Sequence, residues 1–111
     1  MEILSFNLSE GVQKYLRENR IPNEWFYLLA SLIVYRGGAK EVKTLTPETS
    51  FENDLGMDSL DKVQLVMDIE RIFDIRIADD EAERFYTLAD ILEYLKNKDS
   101  DVKLSEVFDL D

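Results

Sequence analysis

The 111 residues carry a formal net charge of −11, with 45% apolar and 33% charged side chains. That balance excludes a disordered composition and sets the chain against phosphate-rich partners such as DNA and RNA. The absence of cysteine and histidine excludes disulfides, thiolate metal sites and the commonest catalytic base, and fits a reducing compartment.

One domain with a modest core is the expectation for this length. The acidity is uneven: acids and bases balance over residues 1–51, and the excess of acids falls on residues 52–98 and 99–111. The opening "MEILSFNLSE" lacks the basic start and long apolar run of a signal peptide. The most apolar run, "WFYLLASLIVY" at 25–35, is too short to span a bilayer. A cytoplasmic protein without a membrane span is therefore expected.

In chain order, residues 8–20 read as a short helix. Ser9 is its N-cap, and Leu8, Val12, Tyr15 and Leu16 share one side. Pro22 breaks the pattern and Asn23 offers a new cap. Residues 24–36 read as a second helix, apolar almost all round, ended by Gly37 and Gly38, with Arg36 complementing the helix dipole. A strand is the competing reading for so apolar a run, but length and caps favour a helix. Residues 39–58 read as a loop of about twenty residues, a length that is often functional. Helical spacing returns from Asp58, with Leu60, Val63, Val66, Met67, Glu70 and Phe73 recurring at three and four. A short acidic turn or helix follows near 79–85. A last helix starts at the Thr87 cap, with Leu88, Ile91, Leu92 and Leu95 as its apolar stripe. Residues 99–111 form an acidic tail. The fold class is all-α.

The stretch "DLGMDSL", residues 54–60, places Asp58 as a cap and Ser59 as the first helical residue. Dipole and free N–H groups at a helix start favour phosphate. A serine nucleophile needs an adjacent base, and none is suitably spaced. The position thus suits a phosphate attached to the serine better than an attacking serine. An isolated Asp-Ser-Leu is usually plain capping sequence, but the surroundings add to it. Gly56 permits a tight turn, Leu55 and Phe51 anchor the loop, and the helix carries Asp61, Asp68 and Glu70 beside its apolar stripe. Together these suggest a docking face with an attachment point.

Here the sequence resembles the acyl carrier protein family. "SFENDLGMDSLDKVQLVMDIERIFDIRIADDEAERF" and "TLADILEYLK" look like that family's central region and last helix, and the resemblance covers residues 24–98. It implies a four-helix bundle with a short third helix, preceded by an N-terminal extension over 1–23 with its own short helix. It implies that Ser59, next to Asp58, receives 4′-phosphopantetheine from a phosphopantetheinyl transferase. The cofactor's thiol then carries acyl groups as thioesters, and the protein is a carrier in fatty acid or related lipid biosynthesis, not an enzyme. By the same resemblance, partners with basic patches meet Asp58, Leu60, Asp61, Val63, Met67, Glu70 and Ile77. Core packing is an equal reading for Val63 and Met67. Leu65, Val66, Ile69, Phe73, Phe85 and Leu88 are the interior residues that would shelter an acyl chain.

Three departures stand out. Lys62, Gln64 and Arg71 lie where acids are usual, Ala78 replaces a proline, and the first bundle helix is unusually apolar. The 8–20 helix is expected to pack on residues 25–35 and leave a monomer; a dimer or partner surface is the rival. Other functions stay open: a peptidyl, aminoacyl or polyketide carrier of a specialised pathway, or an interaction domain that kept the fold. The acidic "ADDEAE" at 78–83 suggests a divalent-cation site, but EF-hand spacing is absent and a solvated turn is the plainer reading.

Overall fold

The computed structural model describes residues 8–98, so the expected acidic tail lies outside the described residues. The elements are α1 (Glu10–Glu18), α2 (Asn23–Tyr35), a 3-10 turn (Val42–Thr44), α3 (Ser59–Phe73), α4 (Asp79–Ala82) and α5 (Leu88–Asn97). Helices α2 to α5 give the expected four-helix arrangement with a short third member, and α1 is additional. Among the described residues the one extended pairing is an isolated bridge between Ser50 and Thr87.

Helix α1 starts as its sequence suggests, with the Val12 N–H donating to Ser9 Oγ at 3.2 Å. It ends in a Schellman motif: Ile21 N–H donates to the Leu16 carbonyl at 2.8 Å and Arg20 N–H to the Arg17 carbonyl at 3.2 Å. Arg20 sits in the left-handed region at φ 58, which costs a non-glycine residue about 1–2 kcal/mol. Burial of Leu16 and Ile21 on either side of it offsets that cost. Leu8, Val12, Leu16 and Ile21 join Trp25, Phe26, Leu29 and Ile33 in one core. The additional helix therefore contributes to the interior. Its Tyr15 lies toward Glu93 of α5 and Glu48. Burial first, and then the charge of Glu93, pushes its phenol above the ordinary value. The Tyr15 hydroxyl meets no partner in good hydrogen-bond geometry among the described residues, although the approach of Glu93 adds a hydrogen-bond contribution to the same upward push.

Helix α2 packs against α3, α5 and the 3-10 turn. Pro22, not Asn23, is its N-cap, and Asn23 is the first helical residue. Trp25 meets Phe73 of α3 edge-on, with centroids 6.3 Å apart. Gly37 takes the left-handed conformation at φ 82 that ends the helix. A Cβ on Gly38 would lie 3.1 Å from Ile33 Cγ2, so the chain there passes close over the helix it has just left.

One expectation for this region is corrected. Arg36 does more than complement the dipole: its guanidinium grips Asp68 of α3 at 2.8 and 2.9 Å and donates to Gln64 at 3.3 Å. Asp68 is 4% exposed, so it is not part of an acidic docking face. Arg71 Nη2 also approaches it, at 3.6 Å. A buried carboxylate is tolerable here because the bidentate pair compensates its lost hydration. On α3 the structure separates two sets of residues that both follow helical spacing. Of the residues spaced from Leu60 to Phe73, Phe73 is buried and Val66 and Glu70 are half-buried, whereas Leu60, Val63 and Met67 are exposed. The buried stripe is Leu65, Ile69 and Phe73.

The long segment between α2 and α3 is tied down. Leu45, Thr49, Phe51 and Met57 are buried. Phe51 N–H donates to the Tyr86 carbonyl at 3.0 Å, and Ala89 N–H to the Pro47 carbonyl at 2.8 Å. These bonds clamp the segment to the start of α5.

Leu16→Ala is expected to lower the unfolding free energy by about 2–5 kcal/mol; an unchanged denaturant midpoint would show α1 to be dispensable to the core. Arg36→Ala should lower the melting temperature more than Arg71→Ala, since it strands a buried carboxylate. Equal melting curves for the two variants would contradict that role.

Candidate functional site

The site is built by a turn, a cap and a groove. The turn is closed by bonds from Asp54 N–H to the Ser50 carbonyl at 3.0 Å and from Met57 N–H to the Phe51 carbonyl at 2.9 Å. Ser50 N–H donates to the Asp54 carboxylate at 2.7 Å. Gly56 stands at φ 66 with open space around its Cα, so conformation and not crowding favours glycine there. Buried Met57 anchors the exit from the turn.

Asp58 then caps α3 from an extended conformation. Asp61 N–H donates to Asp58 Oδ1 at 2.9 Å, and Asp58 N–H donates to Asp61 Oδ2 at 3.1 Å. This reciprocal capping box satisfies two backbone donors with two carboxylates. Each carboxylate commits one oxygen to this box, and neither is hydrogen-bonded to the Ser59 hydroxyl. Ser59 is exposed, and its hydroxyl makes no hydrogen bond among the described residues. The hydroxyl is open to solvent, and no side chain among the described residues hydrogen-bonds it.

Beside Ser59 runs a groove of about 550 Å³ between α3 and α4. Its apolar lining comes from Met57, Val63, Val66, Met67, Ile77 and Ala82, and acids stand around it at Glu52, Asp58, Glu70, Asp79 and Glu83. Glu70 Oε2 accepts from the Ile77 N–H at 2.8 Å, tying α3 to the segment before α4. Glu81 Oε1 accepts from the Ala78 N–H at 3.3 Å, a bond that a proline there could not give. The Tyr94 hydroxyl donates to the same Glu81 oxygen at 2.9 Å. Phe85 packs edge-on against Tyr94 at 5.4 Å. This set holds the far wall of the groove in place. A smaller polar cavity of about 190 Å³ lies between the end of α2 and α3, lined by Arg36, Asp61 and Gln64 among others.

Leu60, Val63 and Met67 are 64%, 52% and 53% exposed, so the core reading of Val63 and Met67 does not apply. Ser59, Asp58 and Asp61 are exposed beside them. Ile77 is 7% exposed; it forms part of the groove wall and offers little open surface to a partner. Leu65, Ile69, Phe73, Phe85 and Leu88 are buried, and half-buried Val66 reaches the groove. Gln64 and Arg71, read as lost acids, sit with Arg36 and Asp68. Lys62, the remaining position where an acid is usual, holds its ammonium 5.4 Å from the centroid of the Tyr86 ring. Sequence reasoning passed over this pair, which joins two separate elements; the three-residue spacing of Lys62 from Ser59 signals only that these two side chains are neighbours on α3. At 78–83, no group of three or more acids is arranged to hold a metal among the described residues.

The geometry fits a phosphate ester on Ser59 carrying a linear arm along the groove. The hydroxyl is exposed at a helix start, and the groove opens directly beside it. A family model described as a phosphopantetheine attachment site matches residues 39–95. An acyl carrier protein of Karelsulcia muelleri (strain GWSS) is 44% identical over 81 residues, which cover 73% of this chain and 96% of that protein. An acyl carrier protein of an Exiguobacterium species is 46% identical over 59 residues, covering 53% of this chain and 75% of that protein.

Burial first, and then the bond to Glu81, pushes the Tyr94 phenol up to about 12 from an ordinary 10.0. A raised phenol pKa means that the folded protein keeps a proton which the unfolded chain releases. The resulting stability is complete below the unfolded value of 10.0 and is lost as pH rises through about 12. Denaturant unfolding across this window should show stability falling with pH, and Tyr94→Phe should flatten the fall. An identical slope in that variant would separate Tyr94 from the effect.

Proposed function

The chain belongs to the acyl carrier protein family, and from that premise we propose that Ser59 is its attachment site for 4′-phosphopantetheine. When bound, the group supplies a terminal thiol that holds acyl groups as thioesters. That sulfur comes from the cofactor, which accounts for a carrier with no cysteine of its own. The observation that carries the reading is the unengaged hydroxyl of Ser59 at the first position of α3, opening onto the groove.

The chain's own residues divide the work. Asp58 and Asp61 hold the helix start, so that its remaining N–H groups and dipole face the phosphate, an interaction worth about 0.3–1 kcal/mol. Leu60, Val63 and Met67 offer exposed apolar surface that a partner can cover, and methionine adapts to more than one partner shape. The surrounding acids speed encounter with enzymes that carry basic patches, the phosphopantetheinyl transferase first among them. Val66 and Ile77 both line the groove and pack on the core that contains Leu65, Ile69, Phe73, Phe85 and Leu88, and an acyl chain that separated them would gain about 0.8 kcal/mol for each buried methylene. Fatty acid or related lipid biosynthesis, with the protein a cytoplasmic monomer, is the setting we infer from these features and the relatives.

Incubation with coenzyme A and a phosphopantetheinyl transferase should add the mass of one phosphopantetheine, detected by mass spectrometry of the intact protein, and Ser59→Ala should abolish the gain. No gain in the wild-type chain, or a gain that survives Ser59→Ala, refutes the assignment.

A further inference from the structure

Lys62 is the one cation lining the groove beside Ser59 among the described residues. It is half-buried and follows Ser59 by three residues, so the two side chains leave α3 on neighbouring positions. Carboxylates line the same groove, yet none of them is ion-paired with Lys62. Asp58 and Glu70 each direct one oxygen to a backbone N–H. The Lys62 ammonium rests instead over the ring of Tyr86, 5.4 Å from its centroid. The backbone of Tyr86 is fixed on both sides: its N–H donates to Asp90 at 2.8 Å and its carbonyl accepts from Phe51 N–H at 3.0 Å. An aromatic face attracts the cation without using up its N–H donors. Lys62 is therefore a seated cation with hydrogen bonds left to give.

We propose that Lys62, seated on Tyr86, is a positioning residue for the phosphodiester that joins 4′-phosphopantetheine to Ser59. The inference rests on the reading of Ser59 as the attachment site. A phosphodiester placed there enters a region rich in carboxylates, which repel it. Lys62 supplies the opposite charge on the groove side of α3, and it directs the arm toward the space between α3 and α4 instead of outward to solvent. In this view the loss of an acid at position 62 is a gain for the cofactor's anchorage.

The test compares apo protein with protein loaded by a transferase and coenzyme A, with loading checked by mass. In the wild-type chain, loading should raise the melting temperature at low salt, and the gain should shrink at high salt as the pair is screened. Lys62→Gln should lose the gain, and Lys62→Arg should keep it. Any effect of Lys62→Gln on folding alone is seen in the apo form and subtracted. The phosphorus-31 resonance of the loaded protein should shift in Lys62→Gln and should respond to salt in the wild type alone. Tyr86→Leu should weaken both signals. A loaded Lys62→Gln protein with the wild-type gain and an unmoved phosphorus resonance overturns the role of Lys62 while leaving Ser59 in place. Failure to load the wild-type chain overturns the Ser59 reading, and this inference with it.

Discussion

Helix α2 sets the terms for the rest of the molecule. Its 13 residues are apolar on nearly every side, and a helix of that kind is stable in water only when it is covered on nearly every side. Helices α3 and α5 cover two aspects of it. The segment between α2 and α3 folds back with the 3-10 turn, Leu45 and Phe51, and α1 adds Leu8, Val12, Leu16 and Ile21 to the same core. Each large side chain removed from water this way contributes roughly 1.5–3 kcal/mol. The long connection is therefore part of the cover. Its second end emerges, held by Phe51 and Met57, at the point where Ser59 must stand.

Helix α3 answers that constraint with one side and leaves the other exposed. Leu65, Ile69 and Phe73 face the core, and Leu60, Val63 and Met67 face outward. The grip of Arg36 on Asp68 fastens the inner side to the end of α2. With that rotation set, Ser59 comes out beside the groove, and Lys62 lies over Tyr86. The acids of the region then serve twice. Asp58, Asp61 and Glu70 each accept a backbone N–H that would otherwise lack a protein partner. Their charges still add to the negative field around the groove.

Much of this was open to sequence reasoning where the physics is local. The Ser9, Asp58 and Thr87 caps hold as expected, since each depends on a side chain bonding an N–H three residues on. The turn at Gly56 and the exposure of Ser59 are legible for the same reason. Asp68 was not. A carboxylate inside an acidic helix looks like surface until an arginine from another helix reaches it. The spacing of α3 was misleading in a related way. Leu60, Val63 and Met67, and also Leu65, Ile69 and Phe73, both follow helical spacing, so periodicity alone cannot choose between the two stripes.

The sequence by itself determined the helices, their caps and the placement of an unengaged serine at a helix start, because those features are decided within a few residues of chain. It also carried the motif that marks the family. The tertiary structure decided which apolar stripe of α3 is buried, that Arg36 pairs with a residue 32 positions away, that Ile77 forms a wall and not open surface, and that Lys62 finds the ring of Tyr86. Those outcomes depend on which neighbour arrives at each face, and burial, pairing and charge there are properties of two elements in contact, not of either one alone.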